Sequence, residues 1–227
     1  MIIAFSGTDG AGKSTQISAL RERLAQRHNK THYIWARGGY TPLFSAMKRV
    51  VLVLIGRRGG KLMDPSNSVE YGKRRSGAFH KLWIARSWLI LAMLDLALLY
   101  GLHTRVLSRM GRVVILDRYL IDTEIDFLRH HANVFSDRSL LWRLLSRLCP
   151  TPDVHFLVTV PVDVTMSRSL QKNEPYPDTR ETLEFRLSAY EAFADAAKDC
   201  IVRLDGREPL PLLFQKIDQQ IPAFSRP

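Results

Sequence analysis

The chain is poor in cysteine: its 227 residues contain only Cys149 and Cys200. Two cysteines cannot build a disulfide framework. Neither cysteine lies in a spacing that would suggest zinc, so a zinc-organised fold is not expected. A reducing compartment is expected. Acidic residues are also scarce, with 22 Asp and Glu against 33 Lys and Arg and a formal charge of +11. That excess favours anionic partners, whether nucleotides, nucleic acid or an anionic membrane surface, without choosing among them. The start, "MIIAFSG", lacks the basic region of a signal peptide and runs straight into glycines. It reads as a buried strand, and the protein as cytoplasmic. The longest apolar run, "LWIARSWLILAMLDLALLYGL" from Leu82, is broken by Arg86 and Asp95. Each is costly at a bilayer centre, so a buried helix is expected there. Internal repeats and long linkers are missing too, which leaves one domain over residues 1–227, long enough to bury a core.

What remains is ordinary globular composition, 46% hydrophobic and 24% charged, which excludes a disordered or fibrous chain. Four short apolar runs rich in β-formers, "MIIAFS" (1–6), "HYIWA" (32–36), "RVVILD" (112–117) and "VHFLVTV" (154–160), alternate with helical patterns, and "CIVRL" (200–204) is a weaker fifth. Runs apolar on both faces suit strands covered by helices on both sides. The expected fold class is therefore α/β, a five-stranded, doubly wound parallel sheet. One stretch, "GRRGGKLMDPSNSVEYGKRRSG" (56–77), is polar, basic and longer than most internal connections, as functional loops often are.

Residues 7–14, "GTDGAGKS", fit G-x-x-x-x-G-K-[ST] between the first strand and a helix. Gly7, Gly10 and Gly12 let the backbone curl so that successive N–H groups point inward, and the next helix N-terminus adds its positive end. Such a nest takes phosphate. Gly7, Thr8, Asp9, Gly10, Ala11, Gly12, Lys13, Ser14 and Thr15 are the expected ATP-binding loop. Lys13 reaches the β and γ phosphates, Ser14 offers its hydroxyl to Mg²⁺, and Thr15 donates to the α phosphate. A glycine turn before a helix is the plainer alternative.

The strand "RVVILD" ends in Asp117, on the same sheet edge as the loop, where open α/β sheets bind ligands. There Asp117 can hold Mg²⁺ or its waters, and Arg118 can meet a phosphate bidentately. The alternative is a capping Asp117 and a surface Arg118. The GTPase signature N-K-x-D has no good match: "NKTH" at 29–32 precedes a strand and lacks the aspartate.

With "GTDGAGKST", "DRY" and "PDVHFLVTV…SRSLQKNE…EFRLSAYEAF", the chain resembles the thymidylate kinase family of P-loop kinases. The likeness runs in order from residue 2 to about 195, with an "LDG" near Asp205. It implies a P-loop NTPase fold with a small lid over about 168–182 and an acceptor-binding region over about 37–110. It also implies transfer of the γ phosphate of ATP, with Mg²⁺, to a nucleoside monophosphate such as dTMP, a place in nucleotide biosynthesis, and a homodimer. By position, Asp9 matches the acidic loop residue that contacts the acceptor's sugar, and Arg37 in "WARGG" and Arg118 match arginines at the acceptor phosphate. Tyr119 completes the signature. Because the loop carries Gly10 where one family branch has arginine, the catalytic cation is expected from the lid, with Arg168 first and Lys172 and Arg180 as alternatives.

Two stretches depart from the family. A helix arginine expected about twenty residues before Arg118 is replaced by "LAMLDLALLY", and the residues after "DRY" are "LIDTEIDF". Helical spacing puts Asp122 and Asp126 on one face, one turn apart. They can hydrogen-bond a polyol or amine acceptor or bind another metal, so Asp122 is a candidate substrate residue and a sugar or sugar phosphate the alternative acceptor; a solvated outer face is the plainer alternative. Finally, Lys48, Arg49, Arg57, Arg58, Lys61, Lys73, Arg74 and Arg75 form a basic segment over 48–75 that can contact the acceptor phosphate, nucleic acid or an anionic membrane.

Overall fold

The computed structural model describes residues 1–35, 82–172, 178–197 and 200–221. Arg37, the basic segment 48–75 and the centre of the expected lid fall outside the described residues. Five strands form one sheet: β1 (Ile2–Gly7), β2 (Thr31–Trp35), β3 (Val113–Asp117), β4 (Val154–Thr159) and β5 (Ile201–Asp205). All pairings are parallel, in the order β2-β3-β1-β4-β5. Each strand lies within a residue or two of its apolar run in the sequence.

Alternation along β1 explains why both faces must be covered. Ile2 and Ala4 enter one core with Val114 and Leu116 of β3, whereas Ile3 and Phe5 enter the opposite core with Ile115, Phe156 and Val158. The second core is closed by α1 (Lys13–Gln26) through Ile17, Leu20 and Leu24 and by the C-terminal helix through Leu213 and Ile217. With a period of two and apolar residues at every position, a central strand is buried from both sides.

The apolar run from Leu82 becomes a continuous rod: α2 (Leu82–Leu96), a π-helical segment (Ala97–His103) and α3 (Thr104–Arg109). Leu89, Ala92, Met93, Leu96 and Tyr100 bury one face against the sheet. The opposite face differs from the expected buried helix. Ile90, Leu94, Leu98, Leu102 and Val106, four residues apart, are 44–60% exposed. By length and composition alone the rod Ala85–Arg109 could span a membrane.

Five helices complete the described chain: α4 (Leu120–His130), α5 (Leu140–Leu148), α6 (Val162–Gln171), α7 (Arg180–Ala196) and, at the end, α8 (Leu210–Gln220). Helices α4 and α7 pack together over β4 through Ile121, Ile125, Leu157 and Tyr190. Both cysteines are free; Cys149 is buried, and burial pushes its thiol up to about 12.

Candidate active site

The chain leaves β1 at Gly7 with φ of 130°, and Gly10 and Gly12 also have positive φ. Gly7 is fixed by space as well, since a Cβ there would stand 1.9 Å from the Val158 carbonyl oxygen. The turn is locked to β4 twice: Thr8 N donates to the Val158 carbonyl at 3.2 Å, and Val160 N donates to Thr8 Oγ1 at 3.1 Å. Helix α1 then begins at Lys13 with no side-chain cap and no acid in its first turn, leaving its N-terminal end to an anion. Lys13 is 7% exposed, and its ammonium donates to the carbonyls of Gly7 (2.8 Å) and Thr8 (2.6 Å). Burial, reinforced by Arg118, lowers its pKa to about 8.

One groove of about 210 Å³ is lined by Asp9, Gly10, Ala11, Gly12, Lys13, Ser14, Thr15, Trp35, Asp117, Arg118 and Lys172. Most of the loop thus meets Asp117, the last residue of β3, and Arg118 in one recess. Asp117 is 5% exposed and accepts from the Tyr33 hydroxyl at 2.8 Å. Arg118 turns back with φ of 75°, its N–H donating to the Phe5 carbonyl at 2.8 Å, and its guanidinium pairs with Asp9. For a metal, the groove offers the Ser14 hydroxyl and the Asp117 carboxylate. No group of three His, Cys, Asp or Glu able to hold an ion occurs among the described residues. Two hard oxygen donors fit Mg²⁺ carried in with phosphates and water, not an all-protein cage.

Asp122 and Tyr119 sit elsewhere than the sequence predicts. Asp122 is 1% exposed and lies beneath the loop: it accepts from Ser6 Oγ (2.5 Å), the Tyr119 N–H (2.9 Å) and the Tyr190 hydroxyl (2.7 Å). Ser6 Oγ also meets His155 Nε2 at 2.9 Å, and burial lowers the His155 pKa. With its oxygens occupied inside the protein, Asp122 braces the loop rather than facing the groove. Tyr119 is 4% exposed, in the sheet core, its hydroxyl donating to the Pro150 carbonyl at 2.5 Å. The helical spacing of Asp122 and Asp126 is as predicted; the face they share points inward, at arginines.

One of those arginines had no place in the sequence reading. Arg186 of α7 is 5% exposed and touches three carboxylates: Asp126 at 2.9 Å, Asp9 at 3.3 Å, and Asp178. It ties the phosphate loop, α4 and the chain entering α7 together. The one available signal was its position: Leu183, Arg186, Tyr190 and Ala194 form the buried stripe of α7, and a charge inside an apolar stripe demands partners. Of the expected lid cations, Arg168 donates to the carbonyls of Gly10 (2.7 Å) and Gly206 (3.2 Å). Lys172 lines the groove. Arg180 lies on the surface, paired with Asp163 at 2.5 Å. Gly206 is held close for this purpose: a Cβ there would be 2.5 Å from the Ala11 carbonyl oxygen.

The five-stranded parallel sheet, with a glycine loop at the end of its central strand leading into α1, defines an α/β protein of the P-loop NTPase type. No family model matches the chain. It is 24% identical over 223 residues, 97% of either chain, to the thymidylate kinase of Thermosipho melanesiensis, a distant relationship to the P-loop kinases.

Proposed function

We propose that the protein is a cytoplasmic phosphotransferase that moves the γ phosphate of ATP to a nucleoside monophosphate, dTMP or a related nucleotide. The observation that carries this reading is the convergence of the phosphate loop, Asp117 and Arg118 on one groove. In it the α1 N-terminus and Lys13 bind the donor phosphates, with Lys13 leaving the Gly7 and Thr8 carbonyls for them. Ser14 and Asp117 would hold Mg²⁺, which would supply charge neutralisation at the terminal phosphates. Arg118 lines the groove and meets the acceptor phosphate, the role that position in the sequence also gives Arg37, and Lys172 or Arg168 supplies the lid cation. A phosphate monoester is already an anion near neutral pH. Its transfer needs positioning and charge neutralisation more than a base, which suits a groove rich in cations.

The polyol alternative rested on Asp122 and Asp126, and these are spent on Ser6, Tyr190 and Arg186. A panel of nucleoside monophosphates and sugars with ATP and Mg²⁺, read by ADP release, tests the reading. Turnover is expected with a nucleoside monophosphate; inert nucleotides beside an active sugar overturn it. Homodimerisation belongs to the same reading, and the exposed row Ile90, Leu94, Leu98, Leu102 and Val106 is the surface it would cover. Sedimentation of the wild type and of Leu98→Glu checks it, the variant sedimenting as a monomer.

A further inference from the structure

Arg118 holds a backbone conformation that an L residue adopts at a cost and keeps only where its surroundings impose it. Two hydrogen bonds impose it. The Phe5 carbonyl accepts the Arg118 N–H at 2.8 Å, and the Arg118 carbonyl accepts the hydroxyl of Tyr100 at 3.1 Å. The first continues the pairing of β1 with β3. The second comes from the π-helical segment, and Tyr100 is wholly buried there, its ring edge-on to Tyr119 at 4.9 Å. In such a segment the turn is one residue wider than in an α-helix. Thr104 marks it, its hydroxyl and N–H both donating to the Leu99 carbonyl five residues back. Leu148 of α5 wedges it, its carbonyl oxygen 3.3 Å from where a Cβ on Gly101 would stand. Segments of this kind concentrate at functional sites, and this one delivers a single hydroxyl to the backbone of a groove arginine.

We infer that Tyr100 is a positioning residue: its hydroxyl, set by the π-helical segment, holds the Arg118 backbone in the left-handed conformation from which the guanidinium reaches the phosphate groove. This rests on the proposed role of Arg118 at a phosphate. Tyr100 touches no reactant; it acts through Arg118.

The test is Tyr100→Phe, which keeps the ring and removes the donor. Nitrogen-15 spectra of the arginine side chains, with the Arg118 signal assigned by its loss in Arg118→Lys, read the guanidinium directly and need no activity. Its hydrogen exchange is expected to quicken about tenfold, a hydrogen bond's worth of lost order. In transfer assays with the best acceptor of the panel, kcat falls about tenfold while the KM for ATP stays within about twofold. An unchanged Arg118 signal, or a lowered melting temperature with kcat intact, overturns the inference. If no acceptor is phosphorylated, the proposed function fails, and the spectra still decide the role of Tyr100. Should Tyr100→Phe not fold, Gly101→Ala presses the same segment against Leu148 and is expected to quicken exchange at Arg118 to a smaller degree; no change there overturns the inference equally.

Discussion

Replacing Arg186 by alanine removes the cation on which three carboxylates converge. The four side chains are not equally buried: Arg186 is 6% and Asp126 12% exposed, whereas Asp178 and Asp9 are 30% and 34%. The last two regain water when their partner goes, and Asp9 keeps Arg118. The cost therefore lies at Asp126, left as a buried anion. Breaking a buried pair in this way destabilises by about 3–5 kcal/mol, and the lower end applies because one carboxylate of three stays dry. For a chain of this length about 3 kcal/mol lowers Tm by roughly 6–12 °C. Adding Asp126→Asn should restore more than half of the loss. Thermal denaturation of the single and double variants is the assay. A Tm drop below about 2 °C, or losses that merely add, would refute the argument that Arg186 neutralises Asp126.

Because burial lowers the Lys13 pKa to about 8 and the proposed function has the lysine bind phosphate as the cation, the Kd for Mg²⁺-ATP should rise about tenfold between pH 7 and pH 9; calorimetry showing a flat profile would remove Lys13 from the phosphates. Lys13→Ala should lower turnover by about 10²–10³-fold with the far-ultraviolet circular dichroism unchanged, as expected when a donor to developing charge is lost. Gly206→Ala puts a methyl 2.5 Å from the Ala11 carbonyl oxygen and should raise the KM for ATP several-fold; wild-type kinetics would mean that the loop yields without consequence. Arg37→Ala should raise the KM for the acceptor and leave that for ATP, measured in the same transfer assay.

Strands were legible because burial on both sides leaves a dense apolar run, and "RVVILD" or "VHFLVTV" has little other use. The phosphate loop was legible because its glycines answer a steric demand, met at Gly7 by the Val158 carbonyl. Asp122 was misplaced for a definable reason. Helical spacing fixes which residues share a face, not what the face looks at, and α4 turns its acids towards Ser6, Tyr190 and Arg186. The rod from Leu82 was harder still. A run apolar all round has no phase to read, so neither its exposed row nor the π-helical segment left a mark in the order of residues. Arg186 and Tyr100 matter through partners 177 and 18 residues away, separations at which a single sequence carries no signal.

The strand order gives synthesis a direction. The glycine turn leaves the ribosome long before Val158 and Val160, yet its geometry depends on them across the sheet. Nascent chains stopped before β4 thus carry every residue of the glycine loop without the wall that shapes it, and the geometry of the loop is completed late in translation, in one step with the closing of the central sheet.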